Sequence, residues 1–332
     1  MTVIQSQAGV LPAPPEQKIT PKTRGIWQEA SRRFMLERLS VVGLCITVLF
    51  VLMGILGPVL APHDYLSQDL SRVGQTPSWD YLLGTDDVGR DVLSRILWGA
   101  RTAVGVTVVV TALCLALGVL IGATAGYMGG YTDMLLTWLT DLVMTVPALL
   151  LAVLVDYTVK QPLSDVTEML YRKTAWEMFS SGIYSGYLVV FASLAFVFWP
   201  HYARLIRGQV LLIREQDYVL AARAVGVSAG RLMTRYLIPN AIGPVLVVAA
   251  LGASDIIVLE ASLSYLGVGI QPPGASWGSM ISNSLDQWAN RPHLVVVPAV
   301  VLGLAALGIA FLGNGLADAL DPRRSRAHSP KA

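Results

Sequence analysis

The stretch TAVGVTVVVTALCLALGVLIGATAGYMGGYT, residues 102–132, contains no Asp, Glu, Lys, Arg or His. As a helix it would be about 46 Å long at about 1.5 Å per residue, against a bilayer core of about 30 Å. One such run could be the core helix of a soluble protein. Four further runs lack Asp, Glu, Lys and Arg: Leu39–His63, Met178–Ala203, Tyr236–Ser254 and Pro292–Ala317. A sixth, Asp133–Val155, is apolar apart from Asp133 and Asp141. Six helices of this kind cannot all be hidden inside 332 residues. The expected fold is all-α, a polytopic membrane protein with six transmembrane helices.

Composition agrees. Hydrophobic residues make up 54% of the chain and charged residues 14%, with a mean hydropathy of +0.58. A soluble domain carries about 25% charged residues. This excludes an ordinary soluble enzyme, a disordered chain and a disulfide-stapled secreted scaffold. The net charge of +2 carries no basic excess, so no nucleic-acid partner is expected. Cys45 and Cys114 both lie in apolar runs, where a free thiol behaves as a small hydrophobe.

Orientation follows from Lys and Arg placement. With the N-terminus inside and six crossings, the inner segments hold Lys18, Lys22, Arg24, Arg32, Arg33 and Arg38, then Arg204, Arg207, Arg214, Arg223, Arg231 and Arg235, then Arg323, Arg324, Arg326 and Lys331. Only eight of the 24 fall outside. The expected arrangement in the cytoplasmic membrane is therefore a tail over 1–38, a six-span domain over 39–317 and a tail over 318–332, both ends cytoplasmic. The external segments are 64–101, 156–187 and 263–293. The first run is too long, and preceded by too much polar chain, for a cleaved signal.

Within the tail, 25–38 reads as a basic amphipathic helix with Trp27, Ala30 and Phe34 on one side, suited to the inner leaflet or simply solvated. In the first external segment Thr85 can cap a short surface helix whose Asp86–Arg90 and Asp91–Arg95 pairs have i,i+4 spacing. In the second, Ser164 or Asp165 can cap a helix through about Met178. In the third, Pro272-Pro273-Gly274 reads as a rigid turn, with Trp277 and Trp288 as interfacial anchors.

The inner loop 204–240 carries the most information. Residues 216–226, QDYVLAARAVG, form a helix of small and apolar residues ending at Gly226, which can take a left-handed C-terminal position. Ser228 can cap a second helix, and Pro239 is expected to stop it before the next span. A hairpin facing water yet showing Leu220, Ala221, Ala222, Ala224 and Val225 needs a cover. It either fills a groove on a partner or packs on its own spans.

Other chemistry is thinly supported. The chain has no Gly-Lys dipeptide and hence no phosphate loop of the Walker type. His63, His201, His293 and His328 are scattered without metal-ligand spacing. Neither catalytic residues nor a bound metal is expected. Asp141, about 12 Å into the third span, with Asp255 and Glu260 near the fifth, could instead serve a proton- or ion-coupled secondary transporter. Alternatively these three face other helices or a partner and are hydrogen-bonded there. No inverted repeat supports the transporter reading.

The hairpin resembles the EAA loop of ABC importer permeases, in its form Tyr-Val-Glu-Ala-Ala-Arg-Ala-x-Gly followed by Leu-Pro-Asn. Tyr218, Val219, Ala221, Ala222, Arg223, Ala224, Gly226, Pro239 and Asn240 match. Leu83–Arg101, Glu260–Gly269, Gln271-Pro272-Pro273, Ser276-Trp277-Gly278 and Asp318–Arg323 resemble the C-type subunits of dipeptide, oligopeptide and nickel permeases. The resemblance implies a type I importer permease fold and a heterodimer with a second homologous permease. It also implies two separate ATPase subunits that hold ATP and Mg, and an extracytoplasmic substrate-binding protein. The cargo would be di- or oligopeptides first and nickel complexes second. Ala221–Gly226 would be the coupling helix, with Leu220 standing where the family has Glu.

Overall fold

The computed structural model describes residues 26–174 and 182–320. Eleven α-helices cover most of them: α1 (Ile26–Leu36), α2 (Arg38–Leu60), α3 (Val92–Met128), α4 (Gly130–Thr145), α5 (Ala148–Thr174), α6 (Gly182–Arg214), α7 (Asp217–Ala224), α8 (Ala229–Leu232), α9 (Ile238–Tyr265), α10 (Trp277–Asn283) and α11 (His293–Leu320). Among the described residues the only β pairing is an isolated bridge between Thr85 and Asp91. Both tails, 1–25 and 321–332, with their basic residues, and the expected helix end at Met178 lie outside the described residues, as do the side chains of Trp27 and Ala30.

Five stretches are long and apolar enough to cross a membrane: α2, α3, most of α6, Ala229–Tyr265 and α11. The run expected to form the third span is divided. α4 and α5 meet at 99°, so the pair is either one broken span or a re-entrant turn. The break lies at Val146-Pro147. Proline's ring crowds the residue before it out of the helical region, and Val146 is accordingly extended at φ −86°, ψ 133°. Past the break α5 runs on through Pro162 to Thr174. The helix expected to begin at Ser164 or Asp165 therefore starts sixteen or more residues earlier, and Ser164 bonds back to the Gln161 carbonyl instead of capping.

α6 is the most enclosed span, with α3, α4, α5 and α9 around it. α2 and α11 pack on each other at the outside, against α3 and α9. The α3–α6 contact is set by small residues at helical spacing. A Cβ on Gly122 would lie 2.3 Å from the Ala203 carbonyl, and Gly118 and Gly126 sit one turn either side against Tyr202 and Val210. In lipid, where burying apolar surface gains little, this close backbone approach is what attracts one helix to another. α1 docks through Phe34 on Ala319 and Leu316 at the end of α11 rather than standing free.

The segment before α3 is not the expected surface helix. Thr85 caps nothing; its hydroxyl donates to the Arg72 carbonyl and accepts from the Gln75 amide. Asp86 instead accepts the Val88 and Arg90 amides at 3.1 and 2.8 Å, a local turn that competes with helix. Gly89 has φ +78°, and a Cβ there would strike the Asp69 carbonyl at 1.9 Å. The helix begins only at Val92, with Asp91 capping the Ser94 amide at 3.0 Å. Of the two expected ion pairs, Asp86–Arg90 forms at 2.7 Å, while Arg95 lies toward Asp86 at 3.7 Å and the Gly274 carbonyl at 3.4 Å.

Candidate functional site

α6 ends at Arg214, and two residues later α7 turns the chain into the hairpin, so the hairpin sits at the end of the central helix. Asp217 occupies the first turn of α7, where the helix dipole favours a carboxylate. The end of α7 is a Schellman closure: the Val227 amide reaches the Ala222 carbonyl at 3.1 Å and the Gly226 amide reaches Arg223 at 3.0 Å. Gly226 takes the expected left-handed position at φ +81°. Ser228 stands at the start of α8 without a capping side-chain bond; its carbonyl accepts the Leu232 amide at 2.9 Å.

Pro239 does not stop the second helix. A π-helical turn over Met233–Leu237 joins α8 to α9, and Ala229–Tyr265 is effectively one continuous helix. A wider turn just before a proline makes room for its ring and its missing N–H, which explains why the chain continues. Asn240 donates to the Tyr236 carbonyl at 2.6 Å.

The two alternatives for the hairpin's apolar residues divide by face. Val219 and Ala222 are buried and join the core cluster with Ile206, Val210, Leu232 and Leu237. Leu220, Ala221, Ala224 and Val225 recur at i, i+1, i+4, i+5 and are exposed, Val225 at 81%. Arg223 and Gly226 are exposed too, as is Pro239. The Arg223 guanidinium lies 5.9 Å from the ring centroid of Tyr127, near the end of α3. Four apolar or small side chains thus form an outward stripe with Asp217 at one end, on a hairpin keyed into the core by its opposite face. Composition alone groups Ala222 with the outward residues and does not single out Asp217. The period of 3.6 alone could have separated them.

The intramembrane carboxylates are not brought together as one site. Asp141 pairs with Arg204 at 2.6 Å, and Asp133 receives two bonds from Arg207, one of them at 2.6 Å. This ladder ties α4 to α6. Glu260 is buried, accepting Ser264 and Ser276 hydroxyls at 2.8 and 2.9 Å. It pins the turn after α9 to the helix end, where the Trp277 indole also donates to the Ile96 carbonyl at 3.1 Å. Asp255 is exposed. In the polar segment ahead of α3, the hydroxyl and amide of Ser71 hold the Asp69 carboxyl below its usual range.

Comparison with known proteins bears on this arrangement. Residues 118–326 match the model of the binding-protein-dependent transport system inner membrane component. Residues 25–77 match the N-terminal TM domain of oligopeptide transport permease C. The chain is 34% identical over 307 residues to the oligopeptide transport system permease protein OppC of Bacillus subtilis, covering 92% of this chain and 93% of that one. It is 35% identical over 309 residues to the protein of the same name from Escherichia coli K12, covering 92% and 94%. It is 32% identical over 310 residues to the dipeptide transport system permease protein DppC of Alkalihalophilus pseudofirmus, covering 93% of each. With both family matches and these relatives spanning nearly its whole length, the chain belongs to the inner membrane permease components of binding-protein-dependent transport systems.

Proposed function

We propose that this chain is one of two membrane subunits of an ATP-driven importer of di- and oligopeptides, and that the α7–α8 hairpin is where a separate ATPase subunit docks. The observation that carries the reading is the two-faced hairpin. Val219 and Ala222 lock it to α6 and the α8–α9 helix, while Leu220, Ala221, Ala224 and Val225 are left for a partner groove. A lever of this kind passes a push from the ATPase into the spans without bending. Gly226 belongs to the site through the turn it closes.

The wider assembly follows the family: a second homologous permease, two ATPase subunits holding ATP and Mg, and an extracytoplasmic binding protein that delivers cargo. The inner location of 16 of the 24 basic residues supports cytoplasmic termini and a cytoplasmic hairpin. The relatives' names support peptides over nickel complexes. Proton coupling through Asp141 loses its support, because that carboxylate is held by Arg204.

The test is transport by the assembled complex in vesicles. Labelled peptide uptake should stop on ATP depletion and persist with a proton uncoupler. Uptake by this chain alone, indifferent to ATP, would refute the proposal.

A further inference from the structure

At the end of the bundle away from the hairpin lies a cleft of about 280 Å³ between α5, the start of α6 and the turn after α9. Some 25 residues of α6 separate Val189 in its wall from Arg214 at the hairpin, about 37 Å of helix. Asp156 of α5 lines it. The residue is 1% exposed, and its Oδ1 is sealed from solvent with no hydrogen-bond partner among the described residues. A carboxylate oxygen without a donor is costly to bury, and such a group in a native fold signals a missing partner. Lys160, one turn further along α5, lies in the same wall, but no ion pair joins it to Asp156 among the described residues. Gln161 and Gln271 add amide groups, and Val189 and Ile270 an apolar floor.

We propose that this cleft binds a small zwitterionic ligand, a short peptide with both ends free, with its terminal ammonium group on Asp156 and its terminal carboxylate toward Lys160. An ammonium group brings three donors to an acceptor that lacks one. A metal ion is poorly served here: the wall offers one carboxylate beside a lysine, and among the described residues no three His, Cys, Asp or Glu side chains cluster. Asp156 and Lys160 are separated by about 6 Å along the helix axis, comparable with the two charged ends of a dipeptide. The volume is near the lower limit of small-molecule sites, about 300 Å³. The ammonium site rests on this geometry; peptide as its bearer rests on the function proposed above.

The test uses the full chain in lipid nanodiscs, with dialanine as probe and ligand-observed NMR as readout. Dialanine should bind the wild type. N-acetyl-dialanine, and Asp156→Asn with dialanine, should each bind roughly tenfold more weakly or worse, the loss expected for a charge-assisted bond. Asp156→Asn should melt no lower than the wild type, because the buried Oδ1 of the unliganded carboxylate has no donor to lose. Equal binding of the acetylated probe, undiminished binding by the variant, displacement of dialanine by magnesium, or a lower melting temperature for Asp156→Asn each overturns the proposal. ATP-driven peptide uptake by the assembled complex, measured alongside, separates the two claims. Uptake without dialanine binding removes only the cleft, and dialanine binding without ATP-driven uptake removes only the importer reading.

Discussion

Asp86 shows how a single carboxylate can organise a polar cap beside a membrane bundle. It accepts two backbone amides and the Arg90 guanidinium while Arg95, almost fully buried, sits 3.7 Å away. Two buried cations depend on it, so Asp86→Ala should cost about 3–5 kcal/mol of stability, as for a broken buried pair. Asp87, half-exposed and 3.6 Å from Arg90, should cost under about 1 kcal/mol when replaced by Ala. Thermal unfolding of the two purified variants decides this; equal losses would mean Asp86 has no special part. At the hairpin, Leu220 removes the family's carboxylate, but Asp217 is exposed one turn earlier. If Asp217 serves in its place, Asp217→Asn should weaken ATPase binding up to about fivefold, the range of an exposed ion pair. Adding Leu220→Glu should then recover it. Affinity measured for the three proteins checks the sequence of loss and rescue.

Among the elements, the hairpin separates docking from packing. Ala224→Arg changes only the outward stripe, so it should uncouple ATP hydrolysis from uptake at unchanged melting temperature. Ala222→Arg puts a charge on the face turned to the core cluster and should destabilise the chain by several kcal/mol, about the cost of an unpaired buried charge. Uptake-to-hydrolysis ratios with melting curves distinguish the two, and matching effects would erase the division of faces. The sequence showed the helices and the hairpin because absence of charge over twenty residues has few alternatives in water, and because Gly226 marks its own turn. It showed the outcome at Asp86, Pro147 and Pro239 less well. Asp86 has helical spacing to Arg90, but its side chain competes locally for backbone amides. Pro147 breaks its run by 99°, yet Pro239, Pro162 and Pro200 lie inside helical stretches. Whether a proline ends a helix depends on the packing that takes up its lost hydrogen bond, and local sequence does not contain that. Asp156 was invisible for a related reason: only the approach of α6 and the turn after α9 makes it buried.

The molecule as a whole places the polar segment ahead of α3 and the α7–α8 hairpin at opposite ends of the apolar bundle. α3 links them in one unbroken helix, from Asp91 at the polar cap to Tyr127, which lies under Arg223 of the hairpin. Its length, about 55 Å at 1.5 Å per residue, exceeds a bilayer core. Whatever the direction of insertion, an α3 that crosses the bilayer puts Trp79, in the polar segment ahead of it, and Ala224, in the hairpin, in different compartments. Trp79 is 96% exposed and Ala224 is exposed, so a cysteine at either position is open to reagents. Cys114 is buried, and Cys45 faces outward from α2 among apolar residues, so Cys45→Ser gives a quiet background. In intact cells an impermeant maleimide should label Trp79→Cys and leave Ala224→Cys untouched until the membrane is opened. Labelling of both from one side would mean α3 does not cross. Labelling of Ala224→Cys alone would put the hairpin outside, where no ATPase could reach it, and the coupling role would fall with the orientation.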